Sequence, residues 1–509
     1  MRNPVILAID QGTTNTKALL VSPAGEIILS RSRAMQVTYP QPGWAEQSAS
    51  DIWEAVAGLI AEMVAAAPDA EIVSLALSNQ RETIVLWDAR TGEPLAPAIL
   101  WQCRRSEARC AALREAGHEQ MIVARSGLGI DPLFPAAKIG WLLSNLPNGR
   151  QRAARGELRC GTIDSWLLWK LTNGAVHATD YSNASRTQLF NIDTLCWDPA
   201  LAALFDVPLT LLPDVRGSDS RFGTVATGLT PLPADTPIHA LMGDSHAALF
   251  YHSAKQAGAT KVTIGTGSSI MTATPRSVRS AHGLSSTIAW HRCGETQYAL
   301  EGNIAISGHA AAFAADLLGL ADEAALTALA ASVADSGGVV FLPALVGLGA
   351  PHWCSEARGA ISGLSLGTRP AHIARAALEA IALQIADVVA AMEADLGSAV
   401  PQIAVDGGAT RNALLMQLLA DLTDRPVVRP HVAEASALGV SRLAAEAIGL
   451  SVPVLHGTMV DRITPAMPGD ERQRIRTGWQ AAVAGAMHRS KSRHANENGS
   501  ILKEVQAGR

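Results

Sequence analysis

Apolar residues recur along this chain in two rhythms, and the two rhythms alternate. The run 5–9 is apolar throughout and gives way to Asp10. A short continuous run of that kind predicts a buried strand. A Gly-Thr turn follows, then a second apolar run at 18–21, a turn at 23–25 and a third short run at 27–29. Over 51–66 the spacing changes. Ile52, Val56, Leu59, Ile60 and Met63 return every three or four residues, which predicts a helix with one apolar face. Val73, Leu75 and Leu77 alternate as a strand that runs into Asn79, Gln80, Arg81 and Glu82. The clearest helix covers about 369–395, where Ile373, Ala377, Ile381, Ile385, Val388 and Met392 mark a core-packing face. Thr368 is its expected N-cap, Pro370 lies in its first turn and Gly397 follows its end. Strands interleaved with helices throughout predict an α/β fold.

One pattern occurs twice. An apolar strand, a Gly-Thr turn and a second apolar strand stand at 5–21 and again at 261–273, the second copy reading KVTIGTGSSIMTA. Two such hairpins predict two related lobes that face each other, with a boundary near residue 250. The stretch 486–509 is polar with little periodicity and is expected to be a mobile tail.

Composition narrows the class. With 48% hydrophobic and 17% charged residues the chain is globular, and 509 residues supply material for more than one core. A formal net charge of −5 without a long basic run argues against a nucleic-acid partner. The first apolar run is too short for a signal-peptide core, and no apolar run is long enough to span a bilayer. Six scattered cysteines form no CxxC pair, which fits reduced thiols in a cytoplasmic protein.

The motifs then select the chemistry. No GxxxxGK[ST] occurs and no GxGxxG follows a strand, so the phosphate loop and the dinucleotide fingerprint are both absent. GLSLG at 363–367 matches the GxSxG pattern, but no helix is expected directly after its serine, so a hydrolase is rejected. What remains is three Gly/Thr/Asp turns at strand ends: AIDQGTTNTK (8–17), TIGTGSS (263–269) and AVDGGATRN (404–412). Such turns offer backbone N–H and hydroxyl donors to phosphate oxygens, and an acid beside them suits a hydrated magnesium ion. Arg81, Glu82, Trp101 and Asp244 also emerge from apolar strands. Singly, Arg81–Glu82 would serve equally as a surface ion pair and Trp101 as a core residue. Together they suit a polyhydroxylated ligand, with Arg donating to its oxygens, Glu accepting from its protons and Trp covering its carbon face.

These motifs, with SNQRET, WQCRRSE, TDYSNASRT (179–187), FLPALVGLGAPHW (341–353) and GAISGLSLGTRPAHIARAALE (359–379), resemble those of the FGGY carbohydrate kinases, and within them the glycerol kinase branch. The similarity runs from about residue 5 to about residue 480. It implies a two-lobed fold related to the actin, hexokinase and Hsp70 ATPases, with ATP, magnesium and a small polyol meeting between the lobes. Carried over by position, Asp244 is the general base, and Asp10 and Asp244 face the metal. Thr13, Thr14, Asn15 and Lys17 line the triphosphate path opposite Thr266. Gly308, Gly408 and Asn412 border the nucleotide, and Arg81, Glu82 and Trp101 hold the polyol. A homo-oligomer is compatible with the resemblance, whereas a nucleotide switch without a small substrate has no use for the polyol residues.

The departures sharpen the expectation. Glycerol kinases place a tyrosine at Leu133, a glutamine at Ser245, a phenylalanine at Ser269 and a glutamine near the nucleotide at Ala312. The catalytic end is kept and the far wall of the substrate pocket is remodelled, which predicts a four- or five-carbon polyol over glycerol. The Gly/Arg-rich loop that binds a sugar bisphosphate in some glycerol kinases has no counterpart at 223–235 (GTVATGLTPLPAD), so that regulation is not expected.

Overall fold

The computed structural model describes residues 3–253, 260–431, 434–450 and 460–507, with side chains given through residue 489. The first apolar run lies in β1 (Asn3–Gln11), which turns back on β2 (Asn15–Val21), and β3 (Ile27–Ala34) completes an antiparallel meander. On the other side of β1 lie β4 (Ala70–Asn79), β5 (Arg221–Thr224) and β6 (Pro237–Gly243). The strands β1, β4 and β6 are mutually parallel, and the sheet order is β5-β6-β4-β1-β2-β3.

The second sheet repeats that plan. The hairpin of β7 (Thr260–Ile264) and β8 (Ser268–Thr274) is followed by β9 (Ser285–Arg292) and β10 (Glu295–Ile304), with β10 antiparallel to β8. Then β11 (Ile403–Asp406) and β12 (Val427–Pro430) extend the sheet in parallel from β7, and β13 (Val460–Ile463) closes it. The order is β9-β10-β8-β7-β11-β12-β13. The repeated hairpin of the sequence thus seeds a repeated sheet, giving the two-lobed α/β architecture of the actin and hexokinase type.

Each helix forms where its apolar spacing finds a sheet. In α1 (Ala49–Ala66) the Ser48 hydroxyl caps the Asp51 amide, and Ile52, Val56, Leu59, Ile60 and Met63 are buried against the first sheet. Besides α2 (Pro135–Asn145), α3 (Asp244–Ser253) and α4 (Gly308–Leu317), the long helix α5 (Pro370–Leu396) fills the second core. Ile381, Ile385, Val388 and Met392 of α5 are fully buried, each worth about 1.5–3 kcal/mol relative to exposure. Its N-cap is Arg369 rather than the expected Thr368, whose hydroxyl instead accepts from the Ser365 amide in the preceding turn. GLSLG lies in that exposed turn, and the helix starts only at Pro370, so the strand–turn–helix of a nucleophile elbow is not formed.

Two helices join the lobes. On one side of α3, Ala247, Ala248 and Phe250 pack with the first sheet and α7 (Ala435–Ala447), which follows α6 (Ala413–Thr423). On its other side Leu249 meets Met271, Ala289 and Ala299 of the second sheet. Although it belongs to the second half of the sequence, α7 therefore lies on the first sheet. It approaches α3 so closely that a Cβ on Gly439 would stand 2.0 Å from the Ala247 carbonyl oxygen. The expected boundary near residue 250 adjoins residues 254–259, which lie outside the described residues. Of the expected tail from 486, α8 (Gly469–Ala507) is described as backbone and residues 508–509 fall outside. Among the described residues no helix is long and apolar enough to cross a membrane, and none of the six cysteines is in a disulfide.

Candidate active site

Parallel strands deliver the central residues to one edge. Asp10 near the end of β1 pairs with Ser78 of β4, and Gly243 at the end of β6 pairs with Asn79 of β4. Asp10, Arg81 and Asp244 therefore emerge side by side at the carboxyl ends of three strands, where open α/β sheets bind ligands. Beyond β4 the Thr83 amide bonds the Arg81 carbonyl at 2.8 Å, with Glu82 held at φ +60° between them. A non-glycine residue in that conformation costs about 1 kcal/mol or more and persists only when its surroundings fix it. Here the turn sends the Arg81 and Glu82 side chains to different partners.

Those partners form a chain of alternating charge. Arg81 Nε lies 3.3 Å from Asp244 Oδ1, and its two terminal nitrogens reach the two oxygens of Glu301 at 2.7 and 3.0 Å. Arg186 NH1 lies 2.7 Å from the same Glu301, and Arg186 Nε donates to Glu82 at 2.6 Å. Glu301 and Arg186 are fully buried. Burial alone would raise the Glu301 carboxyl, but Arg186 and Arg81 outweigh it and hold it well below the usual range. Ser269 Oγ donates to Glu301 Oε1 at 2.9 Å, and buried Lys261 lies 3.4 Å from that hydroxyl. The register explains the meeting: Ser269 and Glu301 stand two positions apart on one face of the β8–β10 pair. The second lobe thus reaches through Glu301 to lock both residues of the Arg81–Glu82 turn.

Asp244 stands at the head of α3 with 36% of its side chain exposed to the cleft. Burial raises its carboxyl, while the Arg81 guanidinium and the Ser245 amide, 2.6 Å from Oδ1, pull it back. A carboxylate raised toward neutrality and open to the cleft is placed to accept a proton. Next to it, burial and the Asp244 charge push Asp10 up to about 6, against the Ser78 hydroxyl and Lys17. Two mutually repelling carboxylates are relieved by a hard cation that takes oxygen ligands, so the donor set fits magnesium.

The residues expected to hold a polyol follow from this pair outward. Trp101 Nε1 donates to Thr13 Oγ1 at 3.0 Å, and Thr13 Oγ1 lies 3.0 Å from Gln80 Oε1. Ser245 is buried behind Asp244. Leu133 is half-buried and its carbonyl accepts from Lys138 Nζ at 2.7 Å. The hydroxyl of Ser269, which stands where glycerol kinases have phenylalanine, is committed to Glu301.

The glycine turns stand at the ends of strands in the two sheets. Thr14, Asn15 and Thr266 are exposed on the tips of the two hairpins. Lys17, expected on the triphosphate path, is paired with Glu434 at 2.7 Å in front of α7. The Gly308 amide at the start of α4 bonds the Gly265 carbonyl at 3.0 Å, and Ala312 is half-buried one turn further on. Gly407 has φ +96°, and a Cβ there would stand 2.5 Å from the Ile264 carbonyl oxygen, so the turn beside Gly408 requires glycine. Asn412, expected at the nucleotide, has its side chain committed to protein: it caps α6 through the Leu415 amide and bonds Thr327.

Four buried residues were not singled out from the sequence: Glu301, Arg186, Lys261 and Lys138. For three of them the signal was present as a charge inside an apolar strand or helix, in YALEGNI, TKVTI and PAAKIGW, whereas Arg186 lies in the turn ASRT after a short helix. Their mutual distance in sequence hid the pairing.

Comparison with known proteins agrees with this geometry. The model of the FGGY family of carbohydrate kinases matches with its N-terminal domain over residues 5–251 and its C-terminal domain over residues 260–448. An apulose kinase of Pectobacterium atrosepticum is 50% identical over 450 residues, covering 88% of this chain and 90% of its own. A glycerol kinase of Dechloromonas aromatica is 46% identical over 494 residues, covering 95% and 97%. The crystal structure of Plasmodium falciparum glycerol kinase with ADP superposes with a TM-score of 0.89 at 30% identity, covering 95% of this chain and 98% of that one. With both lobes, their order and the cleft residues in place, the chain belongs to the FGGY family of carbohydrate kinases and is an ATP-dependent kinase.

Proposed function

We propose that this kinase phosphorylates a terminal hydroxyl of a sugar or polyol larger than glycerol. The observation that carries the size is the set of side chains at the three departing positions. Ser269 is small and its hydroxyl is drawn back onto Glu301, Ser245 is buried behind the base, and Leu133 brings no hydroxyl. Smaller side chains at Ser245 and Ser269 than the glutamine and phenylalanine of glycerol kinases suit an acceptor with one or two extra CHOH units. Glycerol, being shorter, would make fewer contacts with such a wall than an acceptor with extra carbons, and missing apolar contact of that size is worth about 1–3 kcal/mol. The 50% identity to a protein named apulose kinase supports the same reading.

In the reaction, Arg81 and Trp101 hold the acceptor with its terminal hydroxyl against Asp244. The Asp244 carboxylate takes the hydroxyl proton as the oxygen attacks the γ-phosphorus of ATP. The bond from that phosphorus to the β-phosphate oxygen breaks, leaving ADP. Asp10 and Asp244 would hold magnesium, which supplies charge neutralisation at the transferring phosphoryl group. The hairpin turns at 12–15 and 265–267 offer amides and hydroxyls to the triphosphate, and positioning with charge stabilisation is most of what phosphoryl transfer asks of a protein.

The test is kcat/KM for glycerol, erythritol, threitol, the pentitols and a ketose series that includes apulose. A four- or five-carbon compound should lead. Glycerol ahead by about tenfold or more, a difference of roughly 1.4 kcal/mol in transition-state binding, would make the protein a glycerol kinase instead.

A further inference from the structure

Lys138 lies on α2 among apolar neighbours and is fully buried. Among the described residues its ammonium bonds no carboxylate. It donates instead to three backbone carbonyls: Leu133 at 2.7 Å, Trp101 at 3.1 Å and Glu82 at 3.4 Å. An ammonium has three N–H donors, and here each goes to a different segment of chain. The three segments are the turn after β4, the loop that follows the strand Ala98–Ile99, and the turn that leads into α2. Each of the three residues so bound is one assigned to the sugar side of the cleft. Burying a lysine without a counter-ion is costly, and a leucine would fill the same space at no such cost. The charge therefore has a use.

We propose that Lys138 is a positioning residue that clamps the three segments of the sugar-binding wall to one another without touching the substrate. The proposal rests on the assignment of Glu82, Trp101 and Leu133 to that wall. It also explains a feature of the turn at Glu82, whose left-handed backbone needs support from outside. Arg186 supplies that support to the side chain, and Lys138 supplies it to the carbonyl.

A clamp made by an ammonium responds to pH. Burial lowers the Lys138 amine to about 8, against the raising effect of Cys103, Glu82, Asp131 and Cys110 around it. Glu82 is itself taken by Arg186, and burial pushes Cys110 up to about 12, so that thiol stays neutral. Loss of the proton leaves two N–H donors and a lone pair facing three carbonyl oxygens. One bond is lost and one contact becomes repulsive. The clamp is complete below pH about 8 and loosens above it.

The test compares wild-type enzyme with Lys138→Met, using ATP, magnesium and the best acceptor of the polyol and ketose series. The acceptor KM should rise about tenfold or more in the variant, as expected for charge-assisted bonds to a wall, while the ATP KM stays within about twofold. In wild type the acceptor KM should rise between about pH 7 and about pH 9.5, and in Lys138→Met it should be flat. Lys261 is the other buried amine lowered to about 8, so the same rise should persist in Lys261→Met. Equal shifts in both KM values, or a wild-type acceptor KM flat across pH 8, overturn the clamp. Should Lys138→Met fail to fold, the wild-type and Lys261→Met pH series decide alone. If no acceptor is phosphorylated, the functional reading falls while hydrogen exchange still tests the clamp. Peptides covering 80–84, 99–104 and 131–135 should exchange faster in Lys138→Met, and those covering 260–274 should not. Unchanged exchange in the first three overturns it.

Discussion

The two sides of the cleft are built from different parts of the amino acid. On the nucleotide side the turns at 12–15, 265–267 and 407–408 present backbone amides, glycines and exposed hydroxyls. On the sugar side Asp244, Arg81, Glu301, Arg186 and Glu82 are charged side chains held by one another, most of them out of contact with water. A triphosphate has the same shape in every reaction, and a backbone cradle fixed by short local turns suits it. A sugar is recognised by the placement of its hydroxyls, and that requires directional groups held rigid. Rigidity comes from the buried network, because each charge in it is costly to leave unpaired. The difference teaches which changes each side tolerates. The sugar side fails when one member of the network is removed, and the nucleotide side fails when a glycine gains a Cβ.

The sharpest test of the sugar side is at the base. Asp244→Asn keeps the shape and cannot take the proton, so kcat should fall by about 10²–10⁴ with the fold and ATP binding retained. A variant that keeps a tenth of wild-type kcat would remove Asp244 from that role.

Next in size is the network itself. Glu301→Gln leaves two buried guanidinium groups without their shared carboxylate and should cost about 3–5 kcal/mol in urea unfolding. Because Arg186 and Arg81 depress the Glu301 carboxyl, its contribution is complete above the ordinary glutamate range. It is lost only as pH falls through the lowered value, so wild type and variant should converge in strong acid. A cost below about 1 kcal/mol at neutral pH, the level of an exposed ion pair, would mean the arginines are satisfied elsewhere.

The smallest effects come as a crossed pair that separates the two sides. Arg81→Ala should raise the acceptor KM by about 10- to 100-fold, the worth of a charged donor at roughly 1.5–3 kcal/mol, with little change for ATP. Gly407→Ala should do the reverse, raising the ATP KM through about 1–3 kcal/mol of backbone strain. If either substitution moves both KM values equally, the division of the cleft into two construction types is wrong.

Much of this site was legible in the chain itself. The Gly-Thr hairpins and the paired glycines announce their turns within a few residues, since backbone conformation is a local property. The apolar faces of α1 and α5 were likewise visible in the spacing of Ile52 to Met63 and of Ile381 to Met392. The cap of α5 was misplaced by one residue, because Thr368 had a competing partner in the Ser365 amide that spacing does not reveal.

What the sequence determined by itself was the doubled α/β plan and the Gly/Thr turns and acidic residues at its strand ends, all carried by short-range pattern. The tertiary structure alone decided how those residues are held. Glu301 is 220 positions from Arg81, Lys17 finds Glu434 at a separation of 417, and α7 returns from the second half of the chain to lie on the first sheet. A buried charge carries no local mark of its partner. Only the packing that excludes water around Glu301 and Arg186 makes those pairings strong, and that packing exists only when both lobes are in place.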